Sequence, residues 1–234
     1  MGISRHDGGT AYYQPALDLG PGPCEGLVDD DDALAPSATD HTGATDTDGT
    51  ATDTATARAA LVRRDELPGP LAMHRLVEMG AIVRLDDRLA YRAPEGETRT
   101  GRARVVLELL RRPVPACGRT AAWVWLGGRF PDFIDVLGSR HFRSAIAGRH
   151  VHSWSRQVDD AHRGRVGELE LTTPARTACD LALVDPDAPD AAAVRDLMDR
   201  LMAECGVRAE ECLAILDTCS YLHTAPHARR VLGG

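Results

Sequence analysis

The stretch GELELTTPARTACDLALVD, residues 167–185, decides how the rest of the chain is read. Leu169–Thr172 is a short strand-like run that leads straight into Thr173 and Pro174, an N-cap hydroxyl followed by proline at the first helical position. A helix is therefore expected from Pro174. On it Arg176 and Asp180 stand four apart on one face, while Ala175, Ala178, Cys179 and Ala182 form a stripe of small side chains that lets another element approach closely. Thr173, Pro174, Arg176 and Asp180 together read as a structural junction. The Arg176 and Asp180 pair either fixes how helix and sheet meet or marks a surface for a partner.

Working outward, residues 102–112 repeat apolar positions at helical spacing (Val105, Val106, Leu109, Leu110), and residues 117–126 do the same with Ala121, Val124 and Trp125. Trp123 and Trp125 cannot both face inward on one straight helix, so one of them is expected at a flank. Residues 133–137 and 145–153 read as strands. After the central helix, Val194, Leu197, Met198, Leu201 and Met202 keep the helical period, Gly206 ends it, and Ala209, Cys212, Leu213 and Leu216 begin another helix. Residues 99–234 are thus expected to form a small mixed sheet with packed helices and a helical C-terminus.

Ahead of that region, residues 57–66 are read as a short helix broken by Pro68, Gly69 and Pro70, and residues 71–79 as a second, with Ala72, Leu76 and Met79 inward and Gly80 as its stop. Residues 81–85 and 88–92 form strand-like runs joined through Asp86 and Asp87, which suits a tight hairpin. Residues 57–96 therefore resemble an abbreviated winged helix-turn-helix. Residues 1–56 hold an acidic run and a Thr/Asp/Ala repeat without large apolar groups, and are expected to be a disordered acidic tail. That tail is either a solubilising extension, the product of a misassigned start, or an acidic mimic that competes with DNA. The fold class is α/β (α+β).

Composition narrows the function classes. All 27 basic residues are arginine and lysine is absent, which removes any chemistry that needs a lysine amine. The formal charge of -8 is uneven: residues 1–58 carry eleven acids against two arginines, while residues 99–165 carry thirteen arginines against five acids. A basic surface is compatible with the acidic whole. Six cysteines include no CxxC pair, and Cys205, Cys212 and Cys219, seven apart, suit helix packing better than a metal site. No secretory leader is recognisable and no apolar run reaches membrane-spanning length, so reduced thiols, a cytoplasmic location and no membrane contact are expected.

Read with GRARVVLELLRRPVPACGRTAAWVWLGG (residues 101–128), FIDVLG (133–138) and HVHSW (150–154), the stretch at 167–185 resembles the antitoxins of type IV toxin–antitoxin systems, the AbiEi family, over residues 59–232. The order of these blocks carries the resemblance. It implies an N-terminal winged helix that represses its own operon by binding operator DNA, and a C-terminal domain that antagonises a nucleotidyltransferase-type toxin without a stable complex and often makes homodimer contacts. Related N-terminal portions also precede an endonuclease domain resembling that of very-short-patch repair.

A nuclease of that kind uses Pro-Asp followed, across a hairpin, by an acid, any residue and lysine. Pro131 with Asp132 is present, as are Glu168 and Glu170, but Leu171 and Thr172 follow and no lysine exists. His150 and His152 alternate on a strand without a third ligand at metal spacing, and no nucleophile elbow, phosphate loop or dinucleotide fingerprint occurs. No catalytic residue, cofactor or metal is assigned. For DNA, the candidates are His74 and Arg75 on the second helix, Arg84, Arg88 and Arg92 on the hairpin, and Arg99, Arg102 and Arg104 at the junction. The alternatives are a stand-alone DNA-binding transcriptional regulator, a divergent nuclease-related protein, or a hairpin that merely packs on the main domain.

Overall fold

Two sheets and the helices packed on them make up the computed structural model, which describes residues 59–138, 145–218 and 222–233. All of these lie within one compact unit that runs from Asp53 to Gly234. The acidic tail expected over residues 1–56, and Cys219, lie outside the described residues. The class is mixed α/β, as expected.

The first sheet is antiparallel, in the order β1 (Leu61–Arg63), β3 (Leu89–Arg92), β2 (Ile82–Arg84), with α1 (Ala72–Glu78) lying on one side of it. The strand-like hairpin and the second expected helix are both present. The first expected helix is not: residues 61–63 are a strand and Arg64–Glu66 a single 3-10 turn. The reason is burial on two opposite sides. Leu61 enters the main core with Leu85 and Tyr91, whereas its neighbour Val62 sits under α1 with Met73, Ile82 and Ala90. Only extended backbone sends successive side chains to opposite faces. The inward set of α1 also differs from expectation, being Met73, Leu76 and Val77, with Met79 exposed at the C-cap.

A short α2 (Ala93–Glu97) then leads into α3 (Arg99–Leu110), whose N-cap Thr98 accepts a hydrogen bond from the Gly101 N–H at 3.0 Å. Residues 115–117 stitch together the second sheet, because Ala116 bridges antiparallel to Val136 and parallel to Leu171. On one flank β4 (Phe133–Leu137) pairs in parallel with β5 (His150–Trp154); on the other β7 (Leu169–Thr172) pairs antiparallel with β6 (Arg163–Val166). β6 carries RGRV, which has no apolar alternation, so nothing in the sequence announces it. The strand read over residues 145–153 begins only at His150, because Ile146 and Arg149 exchange backbone hydrogen bonds of 2.9 Å around a turn in which Ala147 and Gly148 have positive φ.

Two strand segments that run side by side in parallel each feed a helix. Residues 115–117 enter α4 (Gly118–Leu126), and β7 enters α5 (Pro174–Ala182) through Thr173, whose Oγ1 accepts from the Arg176 N–H. α4 is buried over nearly its whole length, with Ala121, Trp123 and Val124 in the core beneath the sheet and Ala122 in a second core. That second core lies among α5, α6 (Ala191–Cys205), α7 (Ala209–Thr218) and α8 (Ala225–Gly233). Gly206 ends α6 with φ of 66°, as its position in the sequence suggested. Because Ala60, Leu61, Leu85 and Tyr91 share a core with α3, α4 and β4, residues 59–96 are built into the body rather than tethered to it. Among the described residues no helix is long and apolar enough to cross a membrane.

Candidate functional site

Among the candidate arginines, those that the structure leaves uncommitted lie on the outer surface of α1 and the hairpin. Burying Met73, Leu76 and Val77 turns His74, Arg75 and Glu78 outward. His74 is taken by Glu78 at 3.2 Å, while Arg75 is exposed between Leu71 and Met79, which are 62% and 78% exposed. Leu71, Arg75 and Met79, four apart, make one stripe along the helix. Arg84 stands opposite Ala90 in the β2–β3 register and so projects on the α1 side of the sheet. Arg88 lies on the hairpin turn, which Asp86 closes by accepting the backbone N–H groups of Arg88 and Leu89, both at 2.7 Å. Arg75, Arg84 and Arg88 are exposed, and none has an ion-pair partner among the described residues.

The remaining candidates are tied into the fold. Arg102 is a correction: it is buried, and its guanidinium donates to the carbonyls of Val124 (2.9 Å), Gly96 (2.8 Å) and Trp125 (3.2 Å), so it cannot reach DNA. These carbonyls crown the end of α4 and the end of α2, where a cation satisfies orphaned acceptors. Arg99 lies over the Trp125 ring at 5.5 Å and donates to the Trp125 carbonyl at 3.3 Å. Arg92 donates to Ala59 O at 3.0 Å, and Arg104 pairs with Glu95 at 3.3 Å. One tryptophan does stand at a flank, but it is Trp125, which the helical spacing places inward: Trp123 is buried with its Nε1 on Gly128 O, while Trp125 is half-buried with its Nε1 on Thr172 O.

A second polar constellation lies at the heads of α4 and α5, and most of it has no signature in the sequence. Its centre is Asp135 of β4, only 1% exposed. Oδ2 accepts the Arg119 backbone N–H at 2.9 Å and Arg119 Nη1 at 3.2 Å; Oδ1 accepts Trp154 Nε1 at 3.2 Å and lies 3.3 Å from His152 Nδ1. The close seat requires Gly118, which has φ of 49° and whose Cβ, if present, would stand 2.9 Å from Asp135 Oδ2. Arg119 continues to Asp190 at 2.8 Å. Trp154 carries Arg156 at 4.3 Å, and Arg156 reaches Asp180 Oδ1 at 3.5 Å, the same oxygen that accepts Arg176 Nε at 3.1 Å. The Arg176 and Asp180 pair is thus a buried, charge-assisted bond within α5, which Arg156 joins from beyond β5. His152 stacks on Phe133 at 4.7 Å, while His150 is exposed. A lone carboxylate inside the apolar run Phe133–Leu137 is the one sequence signal for this centre.

Its electrostatics suit scaffolding. Burial raises the Asp135 carboxyl, but the hydrogen bond with His152 and the charge and backbone N–H of Arg119 outweigh it and hold the group below its ordinary 3.8. Burial, then the charges of Asp180 and Asp135, push the neighbouring Cys117 thiol well up, which leaves it neutral and a poor nucleophile. Asp132, the candidate nuclease carboxylate, sits in an exposed loop paired with Arg129 at 3.0 Å. Compared with known proteins, the chain matches no family model and no curated protein.

Proposed function

We propose that this chain is a non-enzymatic DNA-binding regulator of the antitoxin kind, acting in the cytoplasm, which binds operator DNA through α1 and the β2–β3 hairpin and antagonises a nucleotidyltransferase-type toxin. The observation that carries the DNA half is the sorting of arginines: Arg75, Arg84 and Arg88 are exposed and unpaired among the described residues, while Arg92, Arg99, Arg102 and Arg104 are bound to carbonyls or a carboxylate. Arginine forks suit guanine edges and phosphates, and the flanking Leu71 and Met79 offer apolar contacts of the kind thymine methyls take. One helix, α1, rather than a helix-turn-helix pair precedes the hairpin, so the support for this reading is a helix followed by a wing-like hairpin and no more. The antitoxin half rests on the block order of residues 59–232 and its resemblance to that family.

The test is binding to a duplex from the gene's own promoter, followed by fluorescence anisotropy. Changing Arg75, Arg84 and Arg88 together to alanine should weaken binding at least tenfold; equal affinity would remove this surface from the proposal. Co-expression with the neighbouring reading frame, scored for rescue of growth, tests the antitoxin half. Operator binding without rescue would leave a stand-alone regulator, and metal-dependent cleavage abolished by Asp132→Ala would replace both readings with a nuclease.

A further inference from the structure

Between the 3-10 turn at Arg64–Glu66, the Gly69–Pro70 approach to α1 and the turn of the β2–β3 hairpin runs an open groove of about 620 Å³. Arg63, Arg64 and Arg88 line it, together with Asp65 and Asp86. The lining holds three arginines against two aspartates, a surplus of one positive charge. Asp86 Oδ1 is already engaged by two backbone N–H groups at 2.7 Å, and Arg63 has Glu66 as a loose partner at 3.9 Å. Arg64 and Arg88 are exposed, face one cleft and lack an ion-pair partner among the described residues. Their backbones are coupled, since Arg64 N donates to Arg88 O at 2.9 Å. Asp65 is the one opposing charge without a described partner.

From these observations we infer that the groove is a seat for a DNA backbone phosphate, gripped by Arg64 and Arg88. Two guanidinium forks entering one cleft from the 3-10 turn and the hairpin turn match the several oxygens of a phosphate better than a single lysine-like point charge would. The cleft is also pre-formed. Arg149 donates to Leu85 O at 2.7 Å, Pro131 O at 2.8 Å and Ala147 O at 2.9 Å, which clamps the hairpin to the main body, and Ala147 forms the far wall. A rigid seat loses little conformational freedom when it is filled. A polyanion fits the location better than a free ion does, because Gly69 and Pro70 on the groove wall lead directly into α1, where Ala72 N bonds Gly69 O at 3.2 Å. A strand seated here passes the start of the helix that carries Leu71, Arg75 and Met79. The inference rests on the proposed DNA binding, adds Arg64 to its contacts, and gives Arg88 a phosphate rather than a base.

The experiment measures affinity of the full chain for the promoter duplex and for a scrambled duplex across a salt series, with R64A, R64A/R88A and R75A beside the native protein. Each arginine withdrawn from a phosphate should reduce the slope of log affinity against log salt by about 0.9, so R64A should flatten it by about one and R64A/R88A by about two, equally on both duplexes. An unchanged slope in R64A/R88A, with binding still weakened by R75A, overturns the groove and leaves the DNA proposal intact. Weakening confined to the promoter duplex also overturns it, since that is the mark of a base contact. No binding of either duplex by the native chain overturns both. Thermal melts of the variants at the native temperature exclude unfolding as the cause.

Discussion

At the scale of single residues, the most consequential group is Asp135, a buried carboxylate that ties β4, β5 and the head of α4 together. A charge in that position is tolerable only because four donors converge on it: the Arg119 N–H, the Arg119 guanidinium, Trp154 Nε1 and the His152 ring. Those partners favour the ionised form, so the folded protein holds this carboxyl below 3.8 despite its burial. A carboxyl whose pKa is depressed by folding contributes stability that is complete above its unfolded value and disappears as pH falls through its folded value. Asp135→Asn keeps one acceptor and the shape but discards the charge. In urea titrations at pH 7 the variant should be less stable by about 1.5–3 kcal/mol. Its stability should also fall less steeply than that of the native chain as pH drops from about 5 to below 3.8. Parallel acid limbs would show that other carboxylates dominate. Arg176 and Asp180 are legible in the sequence because their spacing of four is a local feature. Arg119, Arg156 and Asp190 are not, since they meet through the fold rather than along the chain.

At the scale of elements, local signals fare better than non-local ones. Thr173 and Pro174 open α5, Gly206 closes α6, and the Asp86 turn makes the hairpin, each through chemistry confined to a few residues. β1 reads as helix in the sequence because its identity depends on two cores that the residues around it do not reveal. What fastens β1 is equally remote: Glu108 of α3 accepts the backbone N–H groups of Ala60 and Leu61 at 2.7 and 2.9 Å, and Leu61 lies 47 residues away. One carboxylate thereby satisfies two strand-end donors and joins the first sheet to the body. Glu108→Ala leaves both donors without that partner and should cost about 1–3 kcal/mol. Hydrogen exchange localises the effect. Protection should fall at Leu61 and at its β3 partner Tyr91 and persist in α5 and α7. Uniform loss of protection would mean that β1 is not a separately anchored element.

At the scale of the whole molecule, the charge of -8 conceals the surface on which the proposed activity depends. Composition by segment hints at it, but position along the chain does not separate Arg102, spent on three carbonyls, from Arg75, Arg84 and Arg88, which remain exposed. Burial does that sorting. Charge also sets a long-range expectation that needs no contact at all. Residues 1–52 carry ten acids and one arginine, whereas residues 53–234 carry 25 acids and 26 arginines, so the compact unit alone is close to neutral with a net of +1. A surplus of nine negative charges on the same chain lowers the local potential felt by an approaching polyanion, and salt screens that effect within about 8–10 Å at ionic strengths near 0.1–0.15 M. A chain starting at Asp53 should therefore bind the promoter duplex more tightly than the full chain, and chiefly by associating faster. The advantage should be largest at about 0.05 M salt and shrink toward about 0.2 M as screening grows. Stopped-flow association with labelled duplex reads this directly. Equal rates at low salt, or a gap that salt does not narrow, would rule out an electrostatic role for the N-terminal acids and leave the arginine surface to act independently of them.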